Sequence, residues 1–439
     1  MNTKQLQNIS HLLTFIRKSP TAFHAVDSIV EELKTKGFSV LNEHEPWSLQ
    51  SGKDYVVTRN NSSVIAFRIP KESPKSFMIV ASHTDSPMFK LKHESENAAF
   101  GKYIRLNTEV YGGTILSSWM DRPLSLAGRL ILSQNGKILA KTVNIDRDLL
   151  LIPNVAIHMN RSVNTGASYN PAVDMLPLFT QKGEQSVSLK TILATETGCK
   201  EDEILGMDLY VYSRTPGCVW GACNEFFSAP RIDNLMCAFG TLQGFCNTKP
   251  SSSVSVYFSA DNEETGSATK QGAGSVFLSD VLDRICESLS LDRRTLLASS
   301  MMVSADNGHA RHPNHPELCD AQNAPHLNEG IVIKSNAAQK YATDGISTVL
   351  FEQICKHANV PVQYYANRSD MPGGSTLGSI SNTRVPLITV DIGMAQLAMH
   401  SAYETAGTSD IDHLISAMTA FYQSVLIAEG DGTYRLQFE

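Results

Sequence analysis

The chain has 439 residues, 42% of them hydrophobic and 18% charged, a balance that builds a sizeable core and excludes a fibrous or mostly disordered chain. Lys plus Arg number 37 against 44 Asp plus Glu, a net charge of -7, which argues against nonspecific attraction to nucleic acid or an anionic membrane. At about 150 residues per domain, the length suits two or three domains.

Residues 1–20 carry Leu6, Ile9, Leu13 and Ile16 at helical spacing, broken by polar residues, which predicts an amphipathic helix and not a signal peptide. A second helix follows Pro20, with Phe23, Val26, Ile29, Val30 and Leu33 on one face and Gly37 as its stop. Strands are predicted at 55–59 and 64–69, and a more apolar one at 77–81, suited to burial on both faces. From about residue 92 to 227 the texture changes. Strands at 103–111, 126–133, 137–143 and 209–212 dominate, the first ending at Gly112-Gly113 and the middle two flanking the turn Gln134-Asn135-Gly136. Helical periodicity is scarce there, and 160–183 is expected to be a long loop.

After Pro230 the α/β alternation returns. Helices are predicted from near Asn234, over 276–289 and from the Thr343-Asp344 cap through Lys356. Strands are predicted at 254–259, 301–305, 331–333 and 387–392. A last helix follows Ser409-Asp410-Ile411-Asp412, with Ile411, Leu414, Ile415, Met418, Phe421 and Val425 on its apolar face. The expectation is an α/β catalytic domain in two parts, 1–91 and 228–439, interrupted by a mainly β domain over 92–227. No apolar run reaches the roughly 18 residues of a membrane span. The eight cysteines contain no C-x-x-C, which suits reduced thiols in a cytoplasmic protein and not a structural zinc finger.

Several apolar strands end directly in acids or imidazoles. The 77–81 run leads to His83-Thr84-Asp85, the 254–259 run to Asp261-Asn262-Glu263-Glu264, and the 301–305 run to Asp306. Carboxyl ends of strands converge on a ligand crevice in open α/β sheets. Carboxylates gathered there repel one another unless a cation neutralises them. With Asp233 and His400 they make a donor set suited to zinc, manganese or cobalt. In His83-x-Asp85 the imidazole can bind metal through one nitrogen while the aspartate accepts from the other. Of two adjacent glutamates, one can ligate and the other can move protons. Asp233 could equally cap the following helix, and Lys334 could be a surface lysine. Pro313 breaks any helix that would align His309, His312 and His315, so His309 is expected to line the pocket beside Asp306. No H-E-x-x-H, G-x-S-x-G or Walker-type loop is present.

In this order the motifs resemble the aspartyl aminopeptidase family of dinuclear zinc exopeptidases. The matching segments run from Ser19-Pro20 and Phe23-His24-Ala25-Val26 through Ser82-His83-Thr84-Asp85-Ser86-Pro87 to Arg231-Ile232-Asp233-Asn234-Leu235. Asp261-Asn262-Glu263-Glu264, Ser304-Ala305-Asp306, His309 and His312-Pro313-Asn314 follow. Then come Ile333-Lys334, Gln339-Lys340-Tyr341-Ala342, Gly374-Ser375-Thr376-Leu377-Gly378 and Gln396-Leu397-Ala398-Met399-His400-Ser401. The chain departs from the pattern at Asn307-Gly308, where the family often has a bulkier hydrophobic pair, and at Tyr403, where an arginine is common.

The resemblance implies a zinc-exopeptidase-like α/β/α sandwich with the β domain inserted, and two divalent ions per chain, Zn2+ first and Co2+ or Mn2+ next. It places His83, Asp233 and Asp306 on one ion and Asp233, Glu264 and His400 on the other. It makes Glu263 the general base and Asp85 the carboxylate behind His83. His309, Lys334 and Tyr341 fall where the family lines its substrate pocket, and His158 where a histidine reaches a neighbouring subunit's site. The implied enzyme removes N-terminal residues from peptides, acidic ones preferred, as a homo-oligomer, a dodecamer built from dimers. The rival readings are a related dinuclear peptidase or amidohydrolase with neutral preference, and a catalytically silent assembly or cargo protein.

Overall fold

An apolar run too short for a helix and flanked by polar residues must satisfy its backbone through neighbours, and 77–83 does so from the middle of a sheet. The computed structural model describes residues 3–184, 186–248 and 251–439. All seven residues of the strand Phe77–His83 are buried. Parallel neighbours lie on both sides: Val254–Ala260, with Ala260 opposite His83, and Met301–Ala305, with Ser304 opposite Ala81. Ile388–Gly393 extends the parallel block. Ser39–Leu41, Asp54–Arg59 and Ser63–Arg68 complete one edge of this nine-stranded sheet, and Ile331–Lys334 and Val362–Tyr365 the other.

Alternation along the strands sends side chains to two cores. Met78, Val80, Tyr257 and Val303 pack with the helices Thr3–Lys18, Ala22–Thr35, Ile232–Asn247, Gly345–His357 and Asp410–Tyr422. Ile79, Ala81, Val256 and Met302 face Phe277–Leu289, Arg293–Ala298 and Leu377–Asn382. The result is an α/β/α sandwich.

A separate antiparallel sheet has its own core around Leu126, Leu130, Leu209 and Val211. Its strand order is Lys137–Asn144, Leu124–Gln134, Ile204–Ser213, Met88–Ala99, Tyr103–Tyr111 and Leu178–Gln181. The chain then returns through Phe226–Ala229, which pairs with Glu404–Gly407 in a small five-stranded sheet.

The structure departs from the sequence expectations in three places. The expected loop over 160–183 contains a helical turn, Pro171–Asp174, and the edge strand Leu178–Gln181, whose four residues are too few to show periodicity without their partner. The helix Leu189–Thr197 lies in the region where helical periodicity is scarce, although Ser188 caps it and Gly198 ends it in the left-handed region. The last long helix stops at Tyr422, and Val425 belongs to the hairpin Ser424–Gly430 and Thr433–Phe438.

The helix Ile232–Asn247, which begins beside the candidate site, lies close against Asp410–Tyr422. Gly240 and Gly244, one turn apart, make the approach possible: a Cβ on Gly240 would run into the Leu414 side chain, and one on Gly244 into Met418. Helix propensity alone predicts that Gly244→Ala stabilises by about 1 kcal/mol. Overpacking wins here, and the substitution is expected to destabilise by about 1–3 kcal/mol, measured by urea unfolding.

Candidate metal centre

Parallel register is what gathers the chemistry. Because Phe77–His83, Val254–Ala260 and Met301–Ala305 run the same way in near-matched register, His83, Glu263-Glu264 and Asp306 emerge at one end of the sheet. Asn262, at φ 59, turns the chain so that the backbone N–H groups of Glu263 and Glu264 both donate to Asp85, each at 3.2 Å. Arg231, at φ 58, opens the helix that carries Asp233, and its guanidinium donates to the carbonyls of Ser19 and Ile16 at 3.2 and 3.1 Å. Asp233 itself has a non-helical backbone, at φ -80 and ψ 109, and its buried Oδ1 accepts no hydrogen bond from the helix that follows. The Asp233 N–H donates to Glu404 Oε2 at 2.9 Å and its carbonyl accepts from Ser86 Oγ at 2.6 Å. His400 occupies a left-handed turn, its own N–H held by Glu404 Oε1 at 2.7 Å.

The hydrogen bonds fix both imidazoles. His83 Nδ1 lies 3.1 Å from the carbonyl of Asp85 and 3.3 Å from its Oδ1. His400 Nδ1 lies 3.0 Å from the carbonyl of Gly113. A carbonyl can only accept, so each Nδ1 donates and each Nε2 points its free position inward. His83 Nε2 is 3.5 Å from Asp233 Oδ1 and 3.5 Å from Asp306 Oδ1. His400 Nε2 is 3.5 Å from Asp233 Oδ2 and 3.4 Å from Glu264 Oε2. Donor atoms at tetrahedral corners about 2.0–2.2 Å from an ion lie about 3.3–3.6 Å apart, so these separations suit zinc. Asp233 Oδ1 and Glu264 Oε1 are buried with no hydrogen-bond partner, as oxygens reserved for a cation would be.

The electrostatics agree. Burial, then the surrounding carboxylates, pushes the Glu263 carboxyl up to about 8 against the pull of His83, and drives Glu264 well up as well. Burial and the Asp233 carboxylate likewise raise Glu404 to about 8. Burial would also raise Asp306, but Lys334 and His83 hold it down at about 2. So many buried acids in one place make a strong local demand for positive charge.

The other expected residues divide. Lys334 is buried and not a surface lysine: its Nζ donates to the Asn307 carbonyl at 2.8 Å, lies 3.7 Å from Asp306 Oδ2 and stands over the Tyr341 ring at 5.6 Å. His309 lines a cavity of about 340 Å³ with His312, Tyr365, Met371 and Gln396. His158 is exposed in the β domain, with no hydrogen bond or ion pair to the others. Sequence reasoning missed Glu404 and Asn307 as structural partners. Glu404 ties Asp233 to His400, and buried Asn307 bonds the Ile232 carbonyl and Gln396 at 3.1 and 2.8 Å. Only their burial, invisible in a linear pattern, marks them.

Comparison with known proteins follows the same line. The family model described as aminopeptidase I zinc metalloprotease (M18) matches residues 15–422. A probable M18 family aminopeptidase 2 of Clostridium acetobutylicum is 44% identical over 428 residues, spanning 95% of this chain and 99% of its own. A chain of the Ape4 and Nbr1 complex, solved by cryo-electron microscopy, superimposes with a TM-score of 0.92 at 36% identity, covering 95% of this chain and 86% of that one. The S. cerevisiae mApe1 dodecamer gives 0.85 at 26% identity, covering 96% and 97%. With nearly its whole length matched, the chain belongs to the M18, or aspartyl aminopeptidase, family of zinc metalloproteases and is a metal-dependent aminopeptidase.

Proposed function

We propose that each chain holds two divalent ions, zinc foremost, and releases N-terminal residues from peptides with a preference for Asp and Glu. The observation that carries the two-ion reading is Asp233. One of its oxygens faces His83, which also meets Asp306, and the other faces His400, which also meets Glu264. A carboxylate whose two oxygens address separate donor pairs is built to bridge.

The ions, when bound, polarise the scissile carbonyl and lower the pKa of water toward neutrality. Glu263 takes the proton of the attacking water and returns it to the leaving amine. Burial raises its carboxyl and nearby cationic charge would lower it again, which suits a group that both accepts and releases a proton. Asp85 keeps the His83 ring and the Glu263 backbone in place. His309 and Tyr341 line the substrate side of the crevice, and Lys334 offers its ammonium to an acidic side chain as well as to Asp306.

Oligomerisation belongs to the same reading. The β domain, 92–227, serves as the assembly unit of a dodecamer built from dimers, and its His158 completes a neighbour's site. What supports this is an exposed apolar stretch around His158, with Val155, Ile157 and Met159 at 52%, 49% and 82% exposure, together with the dodecamer named for the S. cerevisiae relative. No described helix is long and apolar enough to cross a membrane, and all eight cysteines are free, which supports placing the protein in the cytoplasm.

Glu263→Gln is expected to abolish nearly all turnover while metal analysis still finds about two ions per chain, because an amide cannot act as the base. Loss of one equivalent in a folded variant would exchange the roles of Glu263 and Glu264. Asp233→Ala is expected to disturb both ions, and selective loss of one would remove the bridge.

Lys334→Met is expected to lower kcat/KM for Asp and Glu substrates at least tenfold and for a neutral substrate much less, since a charge-assisted bond contributes about 1.5–3 kcal/mol. Equal losses would assign Lys334 to Asp306 alone. A wild type that favoured apolar N-termini would overturn the acidic preference.

Mixing inactive Glu263→Gln with inactive His158→Ala protein, under conditions that exchange subunits, is expected to restore some activity. No recovery despite demonstrated exchange would place His158 outside the neighbour's site.

A further inference from the structure

Tyr111 ends the strand Tyr103–Tyr111 of the β domain, and its hydroxyl leaves that domain to donate to Asp85 Oδ2 at 2.7 Å. The same hydroxyl accepts from Asn262 Nδ2 at 2.8 Å, and Asn262 Oδ1 is pinned by Thr269 Oγ1 and Gln271 Nε2 at 2.8 and 2.7 Å. The ring packs edge-on against Tyr210, 5.6 Å away in the same sheet. Burial and the Asp85 and Asp261 carboxylates raise the phenol pKa, so the hydroxyl keeps its proton and remains a donor. Asp85 spends its two oxygens on this hydroxyl, on the N–H groups of Glu263 and Glu264, and on His83 Nδ1. The contact is part of a wider junction: a Cβ on Gly112, at φ 74, would crowd Glu264 Cβ at 3.1 Å, and the Gly113 carbonyl holds His400 Nδ1.

We propose that Tyr111 is a positioning residue of the metal centre, acting through Asp85 to fix the His83 ring and the Glu263–Glu264 backbone, so that the inserted domain sets the geometry of catalysis in its own chain. The inference rests on the role proposed above for Asp85. A tyrosine that merely packed would affect stability and leave metal affinity unchanged.

The test uses the full chain and zinc affinity measured by chelator competition. Tyr111→Phe keeps the ring and its contact with Tyr210, and is expected to weaken zinc binding about 10–100-fold, the usual effect of losing a partner behind a ligand. Its kcat is expected to fall while KM moves less than about twofold, because the hydroxyl acts through Asp85 and does not itself touch substrate. In an Asp85→Asn background the same change should alter zinc affinity less than about twofold, since the two act in series. Unchanged zinc affinity in Tyr111→Phe, or an equal loss in both backgrounds, overturns the proposal. If Asp85→Asn itself binds zinc like wild type, the role of Asp85 fails and the proposal with it. If Asp85→Asn is weakened while Tyr111→Phe is not, Asp85 stands and Tyr111 alone is removed.

Discussion

Mutual repulsion among buried carboxylates governs this structure. Asp85, Asp233, Asp261, Asp306 and Glu404 are all buried around one end of the central sheet, with Glu263 and Glu264 beside them. Each charge there loses hydration and gains like-charged neighbours, a cost that must be met locally or by a cation. The local answers are specific. Asp306 has Lys334, Asp85 has two backbone N–H groups and a hydroxyl, and Glu404 has the N–H groups of Asp233 and His400. Asp233 Oδ1 and Glu264 Oε1 accept no hydrogen bond. Those two oxygens are where the demand for metal concentrates.

A centre under such repulsion needs a stiff frame, and the frame is assembled from distant segments. Arg231 fastens the start of the Asp233 helix to one carbonyl in the last turn of the first helix and one just after it. Gly240 and Gly244 let that helix lie hard against Asp410–Tyr422. The parallel strands fix the spacing of His83, Glu263 and Asp306 by backbone register, which side-chain repulsion cannot easily shift. The inserted domain closes the remaining side, with Gly113 on His400 and Tyr111 on Asp85. The insertion is therefore joined to the chemistry where its second strand, Tyr103–Tyr111, ends.

The sequence by itself determined the alternation of strands and helices in the catalytic fold, the change of texture from about residue 92, and the placing of acids and imidazoles at strand ends. These are legible because burial on both faces of a strand demands an unbroken apolar run, and polar groups can follow only where the run leaves the sheet. His83, Glu264 and Asp306 follow such strand ends, Asp233 and His400 complete the set from outside them with the family resemblance as guide, and the structure brings all five together. Only the tertiary structure decided which oxygen faces which imidazole, that Lys334 is buried against Asp306, and that Glu404, Asn307 and Tyr111 brace the centre. It also decided the fate of short elements such as Leu178–Gln181, a strand only because the edge at Tyr103 offers its hydrogen bonds. The physical reason is the same in each case. A linear pattern records what a residue needs from its surroundings, but its partner lies up to a few hundred residues away and is chosen by packing.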